Sequence, residues 1–292
     1  MLNVKNLKKH FKSNLILNNL NLTIDTNQRV ALVGHNGCGK TTLIRCLLGL
    51  YQFEGQIDIF NINIKTEREK AMKHIAFVPQ APPGLKGTVS EILSLNSTLC
   101  DFSVEEVFPI ANELGLNLND CLSTPFKGLS GGMKQKLLIA IALTRKPSLL
   151  IMDEPSANLD PKARSVFFRL LSELPKETTM LLTSHRVDEL AGIVSRVIEL
   201  DNGVVAMDDI VEAHTDSDIL SEKSLCSLRL KRVPDSVKLA LKEWSFKNDE
   251  ADPLHWSGVI PSADRFRFHA TLTRWSGIIE NVTINKQDEM KQ

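Results

Sequence analysis

Apolar and polar residues change their spacing repeatedly along this chain, and each spacing predicts an element. From Val4 to Ile24 it reads as short strands joined by turns: LNVKNLKKHF, then LILNNLNLTI, where Leu15, Leu17, Leu20, Leu22 and Ile24 partly alternate with polar neighbours. RVALV (Arg29–Val33) is short and continuously apolar, the mark of a strand buried on both faces. After a glycine-rich loop, Leu43, Leu47 and Leu50 recur at helical spacing. GQIDIFNINI predicts an antiparallel hairpin, and AFVP (Ala76–Pro79) another short strand. From Thr88 to about Asn119 the pattern turns helical, through SEILSL and then SVEEVFPIANELGL, which opens on a Ser–Glu capping signal at Ser103.

SGGMKQKLLIAIALTR predicts a strong helix stopped at Pro147, and SLLIMDEP a buried strand ending in acid. PKARSVFFRLLSEL is an amphipathic helix opened by Asp160 as cap and Pro161 in its first turn. TTMLLTSH reads as a strand, VDELAGIVS as a helix, and RVIELDNGVVAMDD as a hairpin turning on Asp201–Gly203. Strands alternating with helices imply a mostly parallel sheet covered on both faces, with a β-rich first part and a helical insertion at about 85–145. The polar, charged run from Thr215 to Ser224 marks a boundary, giving a main domain at 1–218 and a small α/β domain at 219–292. The latter reads strand (LCSLRLKRV), helix (PDSVKLALKEWSF), strand (HWSGVI), helix (SADRFRFHATLTRWS), strand (IIENVTI). Trp244, Trp256 and Trp275 are expected to pack its core rather than to mark a partner surface.

Composition narrows the function. With 35 basic and 35 acidic residues the net charge is zero, which argues against a general nucleic-acid or anionic-membrane binder. The five cysteines are scattered without a CxxC pair, which speaks against a disulfide scaffold or zinc site and fits a reducing compartment. The N-terminus lacks a signal-peptide core, and no apolar run approaches the roughly 20 residues that span a bilayer.

The chemistry concentrates in three places. GHNGCGKT (Gly34, His35, Asn36, Gly37, Cys38, Gly39, Lys40, Thr41), followed by Thr42, matches G-x-x-x-x-G-K-[ST] between a buried strand and a helix. Backbone N–H groups of such a loop cradle phosphate oxygens, aided by the helix dipole. Lys40 is expected to reach the terminal phosphates and the Thr41 hydroxyl to ligate magnesium. Asp153 and Glu154 end an apolar strand; parallel neighbours end on one sheet edge, so both carboxylates are expected to face the loop. One carboxylate can hold magnesium and the next can polarise an attacking water. Ser130, Gly131 and Gly132 open a helix with free N–H groups and a hydroxyl, a second anion cradle. One nucleotide needs only one, so the second suggests use by a neighbouring molecule's nucleotide.

In this order and spacing, GHNGCGKT, LSGG, LLIMDEP, SANLD and TSH resemble the nucleotide-binding domain of ABC-type ATPases across residues 1 to about 215. The resemblance implies a P-loop NTPase fold: a RecA-like parallel sheet core, an antiparallel β subdomain and a helical insertion. It also implies ATP and Mg2+ as ligands, and a head-to-tail dimer with each ATP sandwiched between one copy's phosphate loop and the other's LSGG. Carried over by position, Phe11 stacks on adenine. Gln80 senses the magnesium site and couples to a membrane partner. Glu154 is the general base or water-orienting group, Asp160 lies at the dimer seam with the nucleotide, and His185 contacts the γ-phosphate and attacking water. Met133 and Cys38 depart from the commoner Gln and Ala or Ser, and neither removes a phosphate contact.

The resemblance supports an ATP-hydrolysing transporter motor at the cytoplasmic face of the inner membrane, driving a separate membrane permease. The rival is a soluble ABC ATPase that remodels a ribosomal or nucleic-acid complex. A single motif set, with no heptad run and no basic excess, favours the transporter, with no nucleic-acid partner. The compact insertion and small tail look most like exporter-type motors of type-2 permeases. The tail's layout is also similar to that of the ATPase of nitrous oxide reductase maturation, which would add periplasmic maturation factors reached through the permease.

Overall fold

The chain opens with two long antiparallel strands, β1 (Leu2–Phe11) and β2 (Asn14–Ile24). Their apolar alternation is only partial because the register shifts between Val4 and Leu7, beside Asn6 and Asn19 in left-handed backbone. β3 (Arg29–Val33) leads into α1 (Lys40–Leu47), and β4 (Glu54–Ile59) with β5 (Ile62–Asn63) forms the expected hairpin around Phe60 and Asn61. Both turn residues have positive φ, as a tight hairpin turn requires. β4 pairs with β1, completing an antiparallel sheet of order β2-β1-β4-β5. This structure is a computed structural model describing residues 1–184, 187–190, 192–210, 223–249, 251–261, 268, 271–272, 275 and 277–286.

α2 (Arg68–Met72) and β6 (Ile75–Val78) precede the helical insertion, which contains α3 (Val89–Cys100), α4 (Val107–Glu113) and α5 (Gly131–Thr144). The chain then returns through β7 (Leu149–Asp153), α6 (Pro161–Ser172), β8 (Thr179–Thr183), β9 (Arg196–Asp201) and β10 (Val204–Ile210). The central sheet has the order β10-β9-β3-β8-β7-β6 and is parallel except for β10. Alternate residues of its buried strands belong to two different cores. Val30, Leu32, Leu149, Ile151 and Leu181 pack with α1 and the antiparallel sheet, while Ala31, Val33, Leu150, Met152 and Leu182 pack with the insertion and α6. That two-sided burial is why these strands read as unbroken apolar runs. α5 is apolar nearly all round for the same reason: from Leu137 onward all but Leu138 are buried.

Beyond β10 lie β11 (Lys223–Leu230), α7 (Asp235–Glu243), β12 (Lys247–Asn248), β13 (His255–Pro261) and β14 (Ile279–Lys286), in a sheet of order β12-β13-β11-β14. The boundary run at 215–224 lies outside the described residues up to 222. The helix expected at 262–276 also lies outside them, apart from Phe268, Thr271, Leu272 and Trp275. Trp256 is buried, and Trp244 meets the buried Phe268 edge-on at 5.1 Å.

Two local expectations are corrected. The Ser–Glu capping signal at Ser103 makes no backbone cap: its hydroxyl meets Glu105, and the segment enters α4 through a 3-10 turn at Val104–Glu106. A full capping box forms instead at Thr88, whose Oγ1 accepts from the Glu91 N–H while Glu91 Oε2 accepts from the Thr88 N–H. Chain further along the insertion decides between them, because Thr124 and Leu122 carbonyls accept from Val89 and Ser90 and fix the start of α3. VDELAGIVS is likewise no α-helix; only Val187–Leu190 form a 3-10 turn before Gly192 takes a left-handed φ.

Candidate functional site

The carboxyl ends of β3, β6, β7 and β8 fall on one edge of the central sheet, with Val78 beside Met152, and Asp153 and Leu32 both beside Thr183. Loops leaving parallel strands at such an edge converge on a ligand crevice. Here the crevice is a cleft of about 460 Å³, whose lining includes Phe11, Lys40, Thr41, Gln80, Asp153 and Glu154, together with Asn36, Gly37, Gly39 and Thr42 of the phosphate loop.

The loop between β3 and α1 follows its neighbours so closely that glycine is required. Gly34 has φ 140°, and a Cβ there would sit 2.3 Å from the Leu200 carbonyl oxygen. Gly39 caps α1 at φ 115° and offers no side-chain acceptor, so the first-turn N–H groups of Lys40, Thr41 and Thr42 stay available to a ligand. Lys40 is only 7 % exposed, and its Nζ donates to the carbonyls of Gly34 (2.7 Å) and His35 (3.1 Å). The ammonium thus braces the loop from within. Phe11, 41 % exposed at the mouth of the cleft, stands edge-on to Tyr51 at 5.2 Å with Lys9 Nζ 4.7 Å from its ring centre. A face left open at such a place suits stacking on a flat ring.

Opposite the loop, Asp153 is buried, and its Oδ1 accepts from Thr183 Oγ1 at 2.7 Å. The same hydroxyl accepts from the Glu154 N–H at 2.7 Å. One threonine therefore orients both acidic positions, and holds Glu154 in a left-handed conformation (φ 46°) that non-glycine residues avoid at a cost of about 1–3 kcal/mol. Gln135, fully buried on α5, donates through Nε2 to the carbonyls of Pro79 (3.3 Å) and Pro155 (3.1 Å). Asn158 Nδ2 donates to the Gln80 carbonyl at 3.1 Å. Thr183, Gln135 and Asn158 were not singled out from the sequence: each acts on a residue 20 to 78 positions away. Thr183 and Asn158 lie within TSH and SANLD, and Gln135 within the helix opened by Ser130, but nothing local assigns them these partners.

The oxygen donors of Thr41, Gln80 and Asp153 in one cleft are the hard ligands that Mg2+ takes, and they fit it.

Other expected site residues lie elsewhere. Ser130 caps α5 by accepting from the Met133 N–H at 3.2 Å, and neither it nor Gly131 and Gly132 lines the cleft. Asp160 caps α6 through Ala163 (2.9 Å) and pairs with Lys136 Nζ at 2.8 Å, also off the cleft. The Lys136 hydrogen bond, then the Ala163 N–H, hold its carboxyl down at about 2. His185 lies outside the described residues. Gly34, His35 and Cys38 do not line the cleft: the His35 ring sits between the Asn36 carbonyl (2.8 Å) and Asp201 (3.0 Å), and the Cys38 thiol is buried, which pushes its pKa up and makes it inert.

The β9–β10 turn straps the phosphate loop from behind, with the Gly203 N–H donating to the Cys38 carbonyl at 3.1 Å. Beside it, burial first and the Asp201 charge second push the Glu199 carboxyl from 4.5 up to about 7, against a downward pull from His35. The folded state therefore holds a proton that the unfolded chain releases. Stability falls as pH rises from about 4.5 to 7, and the full loss, about 3 kcal/mol, persists above. Glu199→Gln should raise the melting temperature at pH 8 by roughly 5–10 °C and leave it nearly unchanged at pH 4. An equal gap at both pH values in thermal unfolding would contradict this.

Comparison with known proteins places these features in context. A family model described as ABC transporter matches residues 17–157. The chain is 34% identical over 206 residues to ATP-binding cassette sub-family A member 2 of Rattus norvegicus, an alignment covering 68% of this chain but only 8% of that much longer protein. It is 30% identical over 277 residues to the energy-coupling factor transporter ATP-binding protein EcfA1 of Leuconostoc mesenteroides, covering 88% of this chain and 97% of the relative. Among solved structures, a dimeric ATP-binding cassette in a post-hydrolysis state with ADP and Pi superposes with a TM-score of 0.64 at 25% identity, covering 73% of this chain and all of that one.

Proposed function

Since the chain belongs to the family of ABC transporter ATP-binding proteins, we propose that it binds and hydrolyses ATP as the motor subunit of a transporter whose membrane-spanning permease is a separate chain. The observation that carries this reading is the single cleft gathering Lys40, Thr41, Gln80, Asp153 and Glu154 from separate strand ends.

Each residue then has a task. The α1 N-terminus and loop amides cradle the phosphates, and Lys40 turns from its two loop carbonyls to the terminal phosphate oxygens. Thr41, Gln80 and Asp153 would hold the magnesium ion, which supplies neutralisation of the phosphate charge. Glu154, fixed through Thr183, orients and deprotonates the attacking water. His185 contacts the γ-phosphate and Phe11 stacks on adenine, as in the family pattern.

Ser130, Gly131, Gly132 and Asp160 lie apart from the cleft of their own copy. They serve the nucleotide of a second copy, in a head-to-tail dimer closed by ATP and opened when the γ-phosphate leaves. The dimeric relative supports that arrangement.

Among the described residues no helix is long and apolar enough to cross a membrane. A groove of about 780 Å³ between the end of α1, α2, β6 and α3 includes Leu50, Met72, Phe77 and Leu99 in its lining. Leu50 and Leu99 are 51 % and 70 % exposed. Apolar side chains so displayed, three residues upstream of Gln80 at Phe77, suit a permease segment docking from the membrane side. The motor would thus work at the cytoplasmic face of the inner membrane. The split into 1–218 and 219–292, and the likeness of insertion and tail to exporter-type motors, complete the proposal.

The test is co-purification with the co-expressed permease. Leu50→Glu with Leu99→Glu should keep nucleotide binding and melting temperature, because both side chains are exposed, yet reduce recovery of the permease at least tenfold. Undiminished recovery would remove the groove from the interface. Recovery of a ribosomal or nucleic-acid complex in place of the permease would favour the soluble remodelling ATPase.

A further inference from the structure

A second cavity, of about 530 Å³, lies in the C-terminal sheet unit and shares no lining residue with the nucleotide cleft. Its volume is within the range of small-molecule sites. It opens between α7 and the turn joining β12 to β13. Its charged lining is Asp235, Lys238 and Lys242 on α7 and Lys247 on β12, and its apolar wall includes Phe246 and Trp256.

Two features mark it as a binding site rather than a surface dent, and a third gives it a reporter. The first is charge. Three ammonium groups face one carboxylate, in a chain whose overall net charge is zero. Of the turn's acids, Asp249 accepts from the Ala251 N–H (2.9 Å) and pairs with His255, Asp252 accepts from the Leu254 N–H (3.1 Å) and pairs with Arg229, and Glu250 lies outside the described residues. Lys238, Lys242 and Lys247 form no ion pair among the described residues.

The second is a rigid wall. Phe246 stacks on Phe268 at 5.2 Å with the rings 14° apart, and it fills the place where Gly258 lacks a Cβ, which would otherwise lie 2.4 Å away. Asn248 ties the rim by donating to the carbonyls of Pro253 (3.1 Å) and His255 (3.0 Å). The third is an orphan donor. Trp256 is 3 % exposed, and its indole N–H has no acceptor among the described residues, although a buried indole usually finds one.

We propose that this cavity binds a phosphorylated small molecule with an apolar body. The lining's excess of two positive charges matches a phosphate monoester, which carries about −1.5 to −2 at neutral pH. Lysines bind phosphate as point charges. The apolar body lies on Phe246 and Trp256, beside the enclosed indole N–H, whose signal reports on it.

Phenyl phosphate is the probe. The full-length chain has three tryptophans, Trp244, Trp256 and Trp275, so a 15N spectrum resolves three indole N–H signals, and Trp256→Phe identifies one of them. No tryptophan lines the nucleotide cleft, so the signal separates the two sites. Titration should shift the Trp256 signal saturably. Lys238→Glu with Lys242→Glu, both on exposed side chains, should weaken binding at least tenfold, and Lys247→Glu alone should weaken it several-fold. Phenol and inorganic phosphate, each lacking half of the ligand, should bind far more weakly. A Trp256 signal that stays still at millimolar phenyl phosphate overturns the proposal, as does an equal shift in the charge-reversed variants or with inorganic phosphate alone. The wild-type titration decides the matter even where a variant fails to fold.

Discussion

Glu154→Gln lowers steady-state ATP hydrolysis about 10²–10⁴-fold, the usual span for losing a positioned general base, while ATP still binds. The substitution isolates the chemistry because glutamine is nearly isosteric. It keeps the left-handed backbone at this position and the hydrogen bond from its N–H to Thr183, so the strain and its restraint are both retained. Stability should change by less than about 1 kcal/mol. Phosphate loops and Lys40 are untouched, so nucleotide affinity should remain within a few-fold. If ATP closes two copies and hydrolysis opens them, the variant should accumulate as an ATP-bound dimer on size-exclusion chromatography, where the wild-type chain cycles. Hydrolysis at the wild-type rate would take Glu154 out of the mechanism. Loss of turnover without dimer accumulation would leave the base in place and reject the two-copy cycle.

Lys40→Ala weakens ATP affinity about 10–100-fold. A charge-assisted hydrogen bond is worth about 1.5–3 kcal/mol, and Lys40 is the lysine that lines the cleft. A second consequence follows from the geometry. In the structure this ammonium satisfies the carbonyls of Gly34 and His35, at 2.7 and 3.1 Å, inside a loop in which half the residues from Gly34 to Gly39 are glycines. Alanine leaves those carbonyls without their donor, so the variant should also melt a few degrees lower before any nucleotide is added. Equilibrium binding of a fluorescent ATP analogue and thermal unfolding of the free chain measure the two effects separately. Unchanged affinity would contradict the phosphate-loop reading, and an unchanged melting temperature would show that the loop does not depend on the bracing lysine.

The features most legible in the sequence are those fixed by neighbours along the chain. The phosphate loop could be read because the strand, the glycines, the lysine and the helix are contiguous from Arg29 to Leu47. Asp160 with Pro161 announced the start of α6, and the structure shows both the cap and the first-turn proline. Capping at Ser103 misled, since Thr88 and Ser103 carry the same spacing to a glutamate and only chain far away, at Leu122 and Thr124, selects between them.

By itself, then, the sequence determined most of the strands and several helices, the phosphate loop and the acidic strand end, because backbone propensity, burial period and capping act over a few residues. Only the tertiary structure decided that Thr183 orients Asp153 and Glu154, that Gln135 clasps the chain after β6 and after β7, and that Glu199 is driven to hold a proton. It also decided that three lysines and a buried tryptophan line a second cavity. Hydrogen bonds between residues tens of positions apart, and the desolvation of a buried carboxyl, exist only once the sheet brings distant segments together, so no local pattern encodes them.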